Sequence, residues 1–148
     1  MPANHAIDED LGLFVMRLTG RVTAADVAAA ITGIAELTTS ARPVSSLLIF
    51  DSSTDLSEIN PDEIKSLREA AIDLYRRIKV KRGAGAAVLA GSQDARIMMP
   101  FWNALCLTET DPDLGYEFFN DAKAAIDWLG LPEDATLAAV KRTEQATA

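Results

Sequence analysis

The chain has 148 residues, 49% of them hydrophobic and 24% charged, the profile of one globular domain whose core needs no metal or disulfide staple. Its 22 acidic residues outnumber 14 basic ones, and the net charge of −8 opposes adhesion to nucleic acid or an anionic membrane. A single histidine and a single cysteine exclude the usual zinc sites and argue against a Cys-His or Ser-His catalytic pair.

The N-terminus Met1-Pro2-Ala3-Asn4-His5 lacks the charged-then-apolar layout of a signal peptide, and no apolar run reaches the ~18 residues that span a bilayer. A cytoplasmic protein without a cofactor is expected. Around His5–Ile7 a short strand is expected, joined through Asp8-Glu9-Asp10-Leu11-Gly12 to a second strand, Leu13-Phe14-Val15-Met16-Arg17-Leu18. Thr23 then reads as an N-cap with Asp26 as its capping-box partner, and Val27, Ile31, Ile34 and Leu37 mark one face of a helix ending near Thr38–Ser40. After Arg42-Pro43, Leu47-Leu48-Ile49-Phe50 is apolar on both faces, as a central strand covered on both sides must be.

Asn60-Pro61-Asp62-Glu63 combines a cap, a proline at the first helical position and a capping-box glutamate. Ile64, Leu67, Ala71, Leu74 and Ile78 follow at helical spacing, and Gly83 and Gly85 are expected to end this helix. Ala86-Ala87-Val88-Leu89-Ala90 reads as the next buried strand. A further helix follows Gly91-Ser92-Gln93-Asp94, with a kink or restart at Pro100 because proline cannot donate to the Arg96 carbonyl. Tyr116–Phe119 is the final strand, Asn120 the expected cap of a helix carrying Ala122, Ala125, Ile126 and Leu129, and Gly130-Leu131-Pro132 its stop. Residues 1–132 thus form the domain, and 133–148 a tail that is partly helical, with one further turn, or disordered. Strands alternating with helices imply crossover connections and an α/β domain.

Several segments resemble the SpoIIAA-like branch of the STAS-like superfamily over roughly Ile7 to Pro132. They are Leu18-Thr19-Gly20-Arg21-Val22-Thr23, the Leu47–Asp51 strand, Ala95-Arg96-Ile97-Met98 and the closing Phe118-Phe119-Asn120-Asp121-Ala122 with Ala125-Ile126-Asp127-Trp128-Leu129-Gly130. The resemblance implies a mixed, mainly parallel sheet of four to five strands with about four packed helices. It also implies a non-enzymatic module that binds a protein partner or a small apolar or anionic ligand. Relatives that antagonise anti-sigma factors are released by phosphorylation of a serine in an Asp-Ser-Ser-Gly motif. Here Asp51-Ser52-Ser53-Thr54 lacks the glycine and closes a strand, and Ser57 is nearer the expected place in unmatched surroundings. A phospho-switch is therefore not expected.

Ligands of parallel sheets gather beyond the carboxyl ends of strands. Asp51, Ser52, Ser53, Gly91 and Ser92 would share one edge if their strands are neighbours, with Ser57 nearby. The alternative is that Asp51 and Ser53 organise their own loop and Ser92 caps a helix. Met98, Met99 and Trp102 form a soft apolar group suited to a subunit interface or a ligand cavity, while Ile97, Phe101 and Leu105 are expected in the core. A homodimer through the Met98–Trp102 face is expected. A carrier of a lipid-like molecule in a core cavity is the competing function. Arg76, Arg77, Lys79, Lys81 and Arg82 read as a solvated helix end whose cations oppose the dipole. Cys106 reads as an inert buried thiol, His5 as exposed, and Asp111-Pro112-Asp113 as a turn.

Overall fold

In the computed structural model the alternating segments form five strands of one sheet, β1 (Ala3–Asp8), β2 (Leu13–Leu18), β3 (Val44–Phe50), β4 (Val80–Val88) and β5 (Glu117–Phe119), lying side by side in chain order. Five helices accompany them: α1 (Ala24–Leu37), α2 (Pro61–Ile78), α3 (Gln93–Glu109), α4 (Ala122–Leu129) and α5 (Glu133–Gln145). The described residues are 2–37, 44–78, 80–109 and 115–145. The expected helix end at Thr38–Ser40, the Arg42-Pro43 break, Lys79 and the Asp111-Pro112-Asp113 turn lie outside them, as do the side chains of Lys81, Arg82 and Cys106.

The sheet is mixed. β1 runs antiparallel to β2, with Ala6 opposite Val15, and the remaining neighbours are parallel. A tight turn makes the hairpin: the Leu11 amide donates to Asp8 Oδ1 at 3.0 Å, and Gly12 takes a φ of 65°. Because the parallel strands succeed one another without reversal, crossovers of one hand deposit α1, α2 and α3 on the same face. Phe14, Met16, Leu18, Phe50 and Ala87 meet those helices, whereas Leu13, Val15, Leu47, Ile49 and Val88 point the other way. The chain must then cover a second apolar face, and α4 and α5 do so with Ala125, Ala139 and Val140. Burial of a side chain such as Leu13 or Leu47, each fully enclosed, contributes about 1.5–3 kcal/mol.

Both predicted capping boxes are present. Thr23 and Asp26 exchange bonds of 2.9 and 3.2 Å, and Asn60 and Glu63 exchange bonds of 3.1 and 2.8 Å. Other expectations need correction. α4 is capped by Asp121, whose carboxylate accepts from the Ala124 amide at 2.8 Å, not by Asn120. α3 continues through Pro100 without restarting. Gly83 and Gly85 lie inside β4 and do not end α2; the β3–β4 register shifts nearby, where glycine is commonly found in strands. The segment after Pro132 is a 13-residue helix packed on β1 and β2, so it belongs to the core. It is pinned by Arg142 on Asp8 at 3.6 Å.

Candidate functional site

The strand-end residues do come together, since β3 and β4 are neighbours. However, the strand order never reverses, so no crevice opens of the kind that divergent crossovers create. Asp51 accepts two bonds from one guanidinium edge of Arg17, Nη2 to Oδ1 at 2.6 Å and Nε to Oδ2 at 3.2 Å, and Arg17 Nη1 reaches on to Glu144 of α5 at 3.3 Å. Ser53 Oγ accepts from the Gly20 amide at 3.3 Å. Ser92 is buried and caps α3 by accepting from the Ala95 amide at 3.2 Å. Ser52 is exposed, and Ser57 donates to Asp55 Oδ1 at 2.6 Å. The Ser57 hydroxyl and amide together hold the Asp55 carboxyl below the usual carboxylate range.

These polar groups position a loop. Ser92 Oγ also donates to the Thr54 carbonyl at 3.4 Å, Thr54 Oγ1 donates to the Leu18 carbonyl at 2.8 Å, and Asp94 Oδ2 accepts from the Leu56 amide at 2.7 Å. The β3–α2 loop is thereby strapped to the start of α3, with Leu56 and Ile59 buried beneath it. The turn that makes this approach is left-handed at both Ala90 (φ 45°) and Gly91 (φ 80°). For alanine that conformation costs roughly 1–2 kcal/mol.

Under the loop lies a cavity of ≈ 80 Å³ between the sheet and α1–α3. Its walls include Phe14, Met16, Leu74, Met99 and Trp102 and are almost wholly apolar. Leu56, Ile59, Ile64 and Met98 belong both to this cavity and to an outer groove of ≈ 300 Å³, which Ile97 and Phe101 flank. Ile97 is 74% and Phe101 40% exposed, while Met99 is 3%. The expected core positions of Ile97 and Phe101 are thus overturned, while Leu105 packs against the core as expected. Ala95 and Met99, one turn apart, face the sheet because the small Ala95 lets the helix approach closely. Ile97 and Phe101 are thereby left on the outside. Met99 is part of the core and not of a partner surface; Met98 and Trp102 are half-buried at the cavity wall.

One end of the cavity carries hydroxyls. Tyr116 OH lies 3.0 Å from Ser46 Oγ and 2.6 Å from Tyr75 OH. Asn103 on α3 holds the Tyr116 backbone twice, donating to its carbonyl at 2.9 Å and accepting from its amide at 3.0 Å. A Cβ on Gly85 would stand 3.0 Å from the Tyr116 ring, so glycine in β4 makes room for this aromatic. Trp102 Nε1 is buried and has no hydrogen-bond partner among the described residues, a state that costs about 1–3 kcal/mol.

Sequence reasoning singled out Met98, Met99 and Trp102 but missed the mouth residues Leu56, Ile59 and Ile64. Their apolar character was visible in the sequence; the straps that hold them over a cavity were not. His5 was also misplaced. It is half-buried beneath Gly33 of α1, and burial lowers its pKa. Among the described residues no cluster of ligating side chains could hold a metal, and no helix is long and apolar enough to cross a membrane. Comparison with family models, curated proteins and solved structures found no match.

Proposed function

We propose that this protein is a non-enzymatic, STAS-like binding module that receives a small apolar molecule in the groove and cavity beside α3. The observation that carries this reading is that an outer groove of ≈ 300 Å³ and an apolar cavity of ≈ 80 Å³ lie side by side, with Leu56, Ile59, Ile64 and Met98 in the walls of both. Exposed Ile97 and Phe101 at the entrance give an apolar guest contact before it enters. The mixed sheet with a leading antiparallel strand supports the STAS-like reading. Cytoplasmic residence and a regulatory role belong to the same proposal.

The cavity volume of ≈ 80 Å³ is well below the ~300–1,000 Å³ of pockets that engulf drug-sized ligands. A lipid-length chain therefore does not fit inside, and a ring or short chain is the better guest. A homodimer would use the same surface, with Ile97 and Phe101 as its centre in place of Met98 and Trp102. Light scattering should then show a dimer that Ile97→Asp converts to a monomer, and a monomeric wild type at high concentration contradicts it.

Native mass spectrometry of the protein as purified from cells tests the binding reading. The wild type should retain a small noncovalent mass that denaturation releases. Ala71→Leu, which fills the cavity from α2, should not retain it. A bare chain in both proteins would overturn the proposal.

A further inference from the structure

We infer that the groove between the β3–α2 loop, α2 and α3 docks a basic amphipathic helix of a protein partner. The helix sets its apolar side chains against Ile97 and Phe101 and its cations over an acidic rim. This inference goes beyond the binding of a small guest and stands or falls apart from it.

The groove leaves apolar side chains in water. Ile97 is 74% and Phe101 40% exposed, one turn apart on α3, and Leu56, Ile59, Ile64 and Met98 complete the apolar wall of a space of ≈ 300 Å³. Apolar residues grouped within a polar surround mark contact sites. Two ridge residues four apart, beside a groove, are the counterpart of the i, i+3 and i+4 anchors of an incoming helix. Helices and a loop form the walls, and no strand takes part. An extended peptide therefore finds no sheet edge to pair with, whereas a helix satisfies its own backbone and needs side-chain contact alone.

The charge around the groove fixes the sign of the partner. Residues 51–64, which build the loop and the first turn of α2, contain Asp51, Asp55, Glu58, Asp62 and Glu63 and no lysine or arginine. Asp94 is the charged side chain among the described residues lining the groove. Arg17 neutralises Asp51 at 2.6 Å, and Arg21 lies 3.7 Å from Glu58. Asp55, Glu63 and Asp94 accept bonds from neutral groups, the Ser57 hydroxyl and the amides of Asn60 and Leu56, which order these carboxylates without cancelling their charge. Asp62 is exposed. A partner's lysines or arginines meet opposite charge on this rim. A second copy seated across a two-fold axis would instead set one acidic rim against the other.

The test uses three dye-labelled synthetic peptides of about 18 residues, or five helical turns, followed by fluorescence anisotropy at about 0.15 M salt. One carries leucine and lysine in helical periodicity, the second has the same composition in strict alternation, and the third carries leucine and glutamate in helical periodicity. The helical lysine peptide should bind, and the other two should bind at least about tenfold more weakly. Ile97→Ala with Phe101→Ala should weaken that binding about tenfold. Glu58→Gln with Asp62→Asn should weaken it several-fold, a difference that about 1 M salt removes. All four positions are exposed, so thermal unfolding of both variants should stay close to that of the wild type. Equal binding of the alternating peptide reduces the effect to net charge and overturns the inference. So does a glutamate peptide that binds as well, or a lysine peptide that binds neither wild type nor variant, or one indifferent to the loss of Ile97 and Phe101. Sedimentation showing a dimer that Ile97→Asp dissociates overturns it too, by assigning the groove to a second copy. None of these outcomes depends on whether the cavity takes a small guest.

Discussion

Gly33 and His5 form a contact that tolerates no additional atom. A Cβ at Gly33 would stand 2.6 Å from His5 Nε2, so Gly33→Ala must push α1 from β1 or turn the imidazole out. A loss of about 1–3 kcal/mol is expected, read as a lower urea midpoint at pH 8. Burial lowers the pKa of His5, so the unfolded chain binds the proton more readily than the folded one. Stability therefore rises with pH through the folded value and is fully present above about 6.5, the unfolded value. It falls as pH drops below that. Urea midpoints between pH 5 and 7 should show this slope in the wild type and a flatter one in His5→Asn. Equal slopes would contradict the account. Ala90 offers the opposite sign. Ala90→Gly relieves a left-handed alanine and should stabilise the protein by about 1 kcal/mol, less the flexibility that glycine adds to the unfolded chain.

At the scale of elements, α3 shows what could and could not be read from the sequence. The helix itself was legible from its cap and length, and the apolar residues on it were identified. Which face they present was not, because Ile97, Met98, Phe101 and Trp102 are apolar around a wide arc and periodicity cannot choose among them. Tertiary packing decides, through the small Ala95 against the sheet. Met99→Ala should therefore cost about 2–5 kcal/mol, and Ile97→Ala should change stability by less than about 0.5 kcal/mol. The reverse order in thermal unfolding would mean that the orientation of α3 is wrong. The strand-end serines and Asp51 were legible as a polar cluster. Their work as straps on the β3–α2 loop depends on Thr54, Leu56 and Asp94, which come together only in the folded chain.

For the whole molecule, the order of strands explains why the last helix is needed. Three successive crossovers fill one face of the sheet, and the other relies on the residues after β5. α5 was underestimated in the sequence because its buried positions include Thr136 and Thr143, both fully enclosed, which do not read as apolar. Their hydroxyls are satisfied within the helix region, on the carbonyls of Pro132 at 2.6 Å and Val140 at 2.5 Å. A chain stopped after Pro132 exposes Leu13 and Val15 of β2 and breaks the link from Arg17 to Glu144. The loss should be comparable with the ~5–15 kcal/mol by which a domain is stable, leaving no cooperative unfolding transition by calorimetry. A sharp transition in the truncated chain would contradict the role of α5.

The central claim is that the groove and cavity beside α3 admit a small apolar molecule. The most direct measurement is a titration of methyl-labelled methionine with dissolved xenon, an apolar guest small enough for a cavity of ≈ 80 Å³, followed by NMR. Met16, Met98 and Met99 line the cavity and should shift together and saturate, and Ala71→Leu should abolish the response. Methionine signals that stay unmoved in the wild type, or that move equally in Ala71→Leu, would contradict the account.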